Sequence, residues 1–202
     1  MRTSIRFLAA LLLPFALNAE VICALGTGAS AYNANSDERP SADAMDLARQ
    51  MNAAVSPACS PKCPEIPIYR NSTAANAMLV YANDQARLVY APRFFTTVYE
   101  KYGDGAIIAI LAHEFGHALD EIYQVPWVNR SWPVEARADA WAGCALAGAN
   151  LSPHDLGEAL TAMSKYPSPA HPAWPLRVTA VRAGYTHCGG DSPKFDTATK
   201  RN

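Results

Sequence analysis

The sequence predicts an α+β domain in which helices dominate. Three observations lead there. Apolar residues recur at helical spacing over several long segments, the β-type pattern is confined to residues 66–90, and the composition suits one packed core. Of 202 residues, 50% are hydrophobic and 17% charged, and 17 Lys+Arg stand against 18 Asp+Glu for a formal net charge of −1. That balance supplies no attraction for nucleic acid or an anionic membrane, and no block of like charge stands out. The length fits a single domain.

At the N-terminus, Arg2 and Arg6 precede an uncharged apolar run from Phe7 to Leu17, followed by Asn18-Ala19. This is the pattern of a secretory signal peptide over residues 1–19. The run is about 11 residues, short of the roughly 20 needed to span a bilayer. Cleavage after Ala19 would leave 202 − 19 = 183 residues and no stable membrane insertion. An exported chain, periplasmic or secreted, is therefore expected. Its five cysteines, Cys23, Cys59, Cys63, Cys144 and Cys188, then belong to an oxidising compartment. The odd count leaves one thiol over. Cys59 and Cys63 flank a Pro-rich turn, and Cys144 with Cys188 is the natural long-range pair. A zinc knuckle would need four close ligands, where only C-x-x-x-C is present.

Residues 20–40 are small, polar and without periodicity, and read as a flexible arm. Ser41 to Val55 reads as an amphipathic helix capped by Ser41, with Ala44, Leu47, Ala48, Met51 and Val55 on its apolar face. Ile66 to Arg70 is a strand candidate. Ala77 to Ala82 and Arg87 to Tyr90 form a hairpin rich in Val, Leu and Tyr, closed by Pro92. A helix from Arg93 stops at Gly103, and another starts after Gly105 and runs to Glu121. Ser131 can cap a helix from Trp132 to Ala147, and Ser152-Pro153-His154-Asp155 opens the next, to Lys165. A Pro-rich loop then precedes a last helix ending at Gly184. The domain is placed at residues 41–190, with 191–202 as a C-terminal tail.

The chemistry lies in Leu111-Ala112-His113-Glu114-Phe115-Gly116-His117, an H-E-x-x-H inside a predicted helix. Four residues at 100° each return to the same face, so His113 and His117 stand one turn, about 6 Å, apart. Two imidazoles so placed can share one Zn²⁺, and the adjacent Glu114 can take a proton from water activated there. A catalytic zinc takes three protein ligands. Asp120 and Tyr123 occupy the positions where the metzincin extension requires Gly and His, so that subclass is excluded. Asp120 and Glu121 continue the same helix and converge poorly on a tetrahedral ion; solvent or the helix end is their expected place. Glu135 is the candidate third ligand. It lies 18 residues past His117 in Pro133-Val134-Glu135-Ala136-Arg137-Ala138-Asp139, and Asp139, one turn on, could accept the free N–H of a ligating histidine. The small residues Ala136, Ala138, Ala140 and Ala142 suit close helix packing. His154 and His187 read as surface residues, and the four tryptophans as core or cleft wall.

HEFGH followed by EARAD resembles the gluzincin metallopeptidases of the HtpX and CAAX prenyl protease group. Asn76-Ala77-Met78 is similar to the asparagine-alanine edge strand of that group, and His171-Pro172 with Arg177 to its C-terminal H-P-x-x-x-x-R pattern. Ala138-Asp139-Ala140-Trp141-Ala142-Gly143 is also similar to the bacterial neutral zinc metallopeptidases. The resemblance spans residues 66–185 and implies a zincin-like fold with one Zn²⁺ per chain, held by His113, His117 and Glu135, with Asp139 behind them. It further implies peptide hydrolysis with Glu114 as general base, His171 and Arg177 as oxyanion stabilisers, and an extended protein substrate paired to Asn76, Ala77 and Met78. A non-proteolytic zinc-binding assembly factor and a cell-wall peptide amidase are the alternatives. Substrate identity and oligomeric state are not readable from the sequence.

Overall fold

The computed structural model describes residues 20–24 (backbone only), 32–59, 63–82, 85–166 and 170–200. The expected signal peptide lies outside them. Among the described residues the order is β1 (Glu20–Ala24), α1 (Ala42–Val55), β2 (Ile68–Arg70), β3 (Ala77–Ala82), β4 (Gln85–Tyr90), α2 (Pro92–Ile122), α3 (Val134–Gly148), α4 (Pro153–Lys165), α5 (Trp174–His187) and α6 (Ser192–Thr199). The class is α+β, mainly helical, with one small sheet.

Local chemistry sets the helix starts. The Ser41 hydroxyl accepts from the Ala44 amide at 3.2 Å, and the Ser152 hydroxyl from that of Asp155 at 3.1 Å; each satisfies an amide that the first turn leaves open. Pro92 begins α2, where a missing N–H costs nothing. The helix breaks at Gly103, whose φ of 75° is left-handed and whose missing side chain makes room for the Glu158 carboxylate. One expected cap fails. α3 starts at Val134 after Pro133, while the Ser131 amide and hydroxyl both donate to the Asn129 side chain, at 3.0 and 2.8 Å.

The sheet order is β1-β3-β4-β2, with β2 parallel to β4 and the other pairs antiparallel. The buried half of α2, from Gly105 to Asp120, runs under this sheet and packs against α3 and α4, while α5 closes over α3. Phe115, Leu111, Leu119 and Trp141 form the centre of the core.

Both ends of the chain depart from expectation. The flexible-arm reading of residues 20–40 is corrected for its described parts, 20–24 and 32–40: β1 joins the sheet, and Asp37 anchors the second part. The Asp37 carboxylate accepts from the Tyr32 hydroxyl at 2.9 Å, from the Asn71 amide at 2.8 Å and from the Arg87 guanidinium at 3.2 Å. The segment 191–202, read as a tail, carries α6, which packs on α4 and α5 through the buried Phe195 and Ala198. Short polar segments carry little periodicity, and long-range pairing decides their structure instead.

Candidate metal centre

α2 presents His113 and His117 on one face, and α3 crosses it so that Glu135, in its first turn, comes over both. The Glu135 Oε2 atom lies 3.2 Å from His113 Nε2 and 3.5 Å from His117 Nε2, and the two Nε2 atoms are 3.3 Å apart. All three side chains are buried. On the far side of the His113 ring, Nδ1 stands 2.9 Å from Asp139 Oδ1. That contact puts a proton on Nδ1 and turns the Nε2 lone pair towards Glu135 and His117.

Three electron-rich atoms facing one point repel unless a proton or a cation lies between them. The surroundings select positive charge there. Burial opposes charging His113, yet its hydrogen bonds to Asp139 and Glu135 outweigh this and raise it to about 9. Burial dominates at His117, whose pKa is lowered, leaving a neutral imidazole suited to ligation. Burial would raise the Glu135 carboxyl, but hydrogen bonds from His113, His117 and His171 hold it far below the ordinary range. Two imidazoles and a carboxylate in this arrangement could hold a borderline-soft divalent cation, Zn²⁺ among them.

Glu114 faces the sheet side of the centre, where its Oε2 accepts the Leu79 amide of β3 at 2.9 Å. This ties the carboxylate to the strand. No sequence signal marks it, because a backbone donor has no residue type.

Arg177 enters from α5. Its Nε and Nη2 donate to the two Asp139 oxygens, each at 2.8 Å, and Nη1 donates to the Met163 carbonyl at 2.9 Å. The guanidinium is buried with Nε, Nη1 and Nη2 each engaged, so in this arrangement it stands behind Asp139, and through it His113, rather than open towards the space in front of His113 and Glu135 where the expected oxyanion role would put it. Burial would raise the Asp139 carboxyl, but Arg177 and His113 together lower it. His171 does reach the centre, with Nε2 2.8 Å from Glu135 Oε2 and Nδ1 3.3 Å from Arg177 Nη1.

Of the two places expected for Asp120, solvent or the helix end, it takes the second. It is buried at the end of α2, where Arg130 and Arg137 each donate to it at 2.7 Å. Arg137 also donates to the Trp132 carbonyl at 2.8 Å, so these pairs fasten the end of α2 to the start of α3, beside Glu135. His154 and His187 are exposed as expected, His187 stacked on Trp127.

The strand at the site is not the bare edge that was expected. β1 lies along β3 with Ala24 opposite Met78, Cys23 opposite Leu79, Val21 opposite Val80 and Glu20 opposite Tyr81. Met78 is thus covered on that side, while Asn76 and Ala77 lie beyond the last pair. Compared with protein-family models, with curated proteins and with solved structures, the chain matches none.

Proposed function

We propose that this chain is an exported zinc endopeptidase of gluzincin type, acting on unfolded or extended protein. One observation carries the reading: His113, His117 and Glu135 converge within 3.5 Å while a carboxylate with no part in that convergence, Glu114, stands beside the two histidines on α2. A purely structural site has no use for such a base. Zn²⁺, when bound by the three side chains, supplies Lewis acidity towards a carbonyl and a lowered pKa for water.

The chain's own residues divide the remaining work. Glu114, aimed by the Leu79 amide, takes the proton from the attacking water and returns it to the leaving amine. Asp139 keeps the His113 proton on Nδ1, and Arg177 keeps Asp139 in place. His171, whose Nε2 lies 2.8 Å from Glu135 Oε2, would donate to the oxygen on which charge develops once Glu135 holds the metal and releases that contact; one such donor contributes about 3 kcal/mol. The disulfides Cys59–Cys63 and Cys144–Cys188 fit an oxidising compartment. Among the described residues no helix is long and apolar enough to cross a membrane.

The test is cleavage of an unfolded protein by the chain from Glu20 and by its Glu114→Gln variant, both loaded with one zinc. Cleavage by the first alone is the expected outcome, with zinc retained by both. His113→Ala and Glu135→Ala are expected to lose the metal. Turnover that survives Glu114→Gln would sink the proposal.

A further inference from the structure

β3 reaches the candidate site through its backbone, because Leu79, in the middle of that strand, holds Glu114 through its amide. An extended peptide would bind there by adding a strand, its main chain pairing with that of β3. The structure already shows a strand in that position. β1 runs antiparallel to β3 over Met78 to Tyr81, and Cys23 is the residue opposite Leu79. The ladder is irregular between Val21 and Cys23, directly beside that residue; such bulges leave a residue unpaired and weaken the pairing locally. β1 is also joined to the sheet by β3 alone, as the outermost strand in the order β1-β3-β4-β2. The chain then passes through residues 25–31 to the segment anchored at Asp37. If the leader is removed after Ala19, Glu20 begins the chain, and β1 is a five-residue end held by one ladder.

We infer that the outer edge of β3 is a peptide-docking surface whose resident is the chain's own β1, so that Glu20–Ala24 blocks the site from within until it is displaced. This rests on the hydrolase reading for its consequence, but the docking itself does not. The energy of a short edge strand is small enough to be reversed by competition from substrate or by removal of the segment. While β1 is docked, substrate meets only the fraction of molecules in which the edge is open, and its apparent affinity falls by that fraction. Asn76 and Ala77, beyond the Ala24–Met78 pair, remain the part of the edge that an incoming chain can meet first. The Asn76 side-chain oxygen is buried and has no hydrogen-bond partner among the described residues, as suits an acceptor that serves an incoming strand.

Two variants of the chain from Glu20 test this without touching the centre. In the first, Val21→Pro, Ile22→Pro and Cys23→Pro together remove every amide that could pair with β3 at the middle of β1. In the second, Glu20→Cys and Tyr81→Cys, in a Cys23→Ser background, join the first register pair by a disulfide, since facing residues of an antiparallel ladder lie within its reach of about 4.4–6.8 Å. With zinc loaded, the proline variant is expected to cleave an unfolded protein about tenfold faster than the parent. The oxidised lock is expected to cleave more slowly and to recover on mild reduction that leaves the parent unchanged. Equal rates in all three would overturn the blocking strand while leaving the hydrolase intact. If none cleaves, the hydrolase reading fails, and amide exchange then decides the docking alone. Slow exchange in the parent at those of the Met78, Val80 and Tyr81 amides that face β1, lost in the proline variant and restored by an added peptide of the sequence Glu-Val-Ile-Cys-Ala, supports it, with the Leu79 amide, held by Glu114, as the unchanged reference. Fast exchange in the parent, or no restoration, overturns it.

Discussion

Asp139 joins three elements through one carboxylate. One oxygen receives His113 Nδ1 and Arg177 Nη2, the other Arg177 Nε, so α2 and α5 both report to a residue of α3. Replacing it with Asn keeps the shape but leaves the buried guanidinium without its counter-charge. Asp139→Asn is expected to cost about 3–5 kcal/mol in denaturant unfolding, as removal of one partner from a buried pair does. It is also expected to weaken zinc binding about 10–100-fold in a metal titration, because His113 loses the acceptor that sets its tautomer. The pH dependence carries a definite sign. The folded Asp139 carboxyl is lowered by Arg177 and His113 against the opposing effect of burial, so its contribution is present above the unfolded carboxyl pKa and disappears as pH falls through the folded one. Unfolding of the zinc-free chain followed below about pH 4 should show a steep loss of stability, and Asp139→Asn should show a smaller loss from a lower starting point.

Arg177 can reach Asp139 only because α3 and α5 lie unusually close. Gly143 of α3 and Gly184 of α5 make that approach possible: a Cβ on Gly143 would fall 1.9 Å from the Val181 carbonyl oxygen, and one on Gly184 would fall 1.8 Å from that of Ala140. Each glycine thus receives the backbone of the other helix, and no side-chain rotation can relieve either clash. Gly143→Ala and Gly184→Ala are each expected to destabilise by about 1–3 kcal/mol or more, as overpacking does. Both should weaken zinc binding although neither residue is near the metal centre. Gly157→Ala, where the nearest atom to an added Cβ is 4.0 Å away, is the control and should leave zinc binding unchanged. A similar spread of effects at all three glycines in unfolding and metal titration would show that the approach of α3 to α5 does not govern the centre.

For the molecule as a whole, what could be read from the sequence is what local rules encode. His113, Glu114 and His117 follow from helical spacing, Glu135 and Asp139 from one turn of separation on a small-residue helix, and the starts of α1 and α4 from serine caps. What escaped depends on contacts between distant segments: β1 on β3, Asp120 on Arg130 and Arg137, α6 under α4, and the commitment of Arg177 to Asp139. The disulfides cut across that division, since the close and the distant pair were both legible from the cysteine spacing, and their difference in span has a measurable consequence. Cys59–Cys63 closes a sequence separation of 4, whereas Cys144–Cys188 closes one of 44 and ties the end of α5 to α3. Loop-closure entropy in the unfolded chain gives about 2 kcal/mol for the first and about 4 kcal/mol for the second. Replacing Cys144 and Cys188 together by Ser should therefore lower the unfolding free energy by about twice as much as replacing Cys59 and Cys63. The larger loss should be accompanied by weaker zinc binding, since that bridge lies on the pair of helices carrying Asp139 and Arg177. Equal losses from the two double variants in denaturant unfolding would mean that the unfolded chain already holds α3 and α5 together, and that their contact forms without help from the bridge.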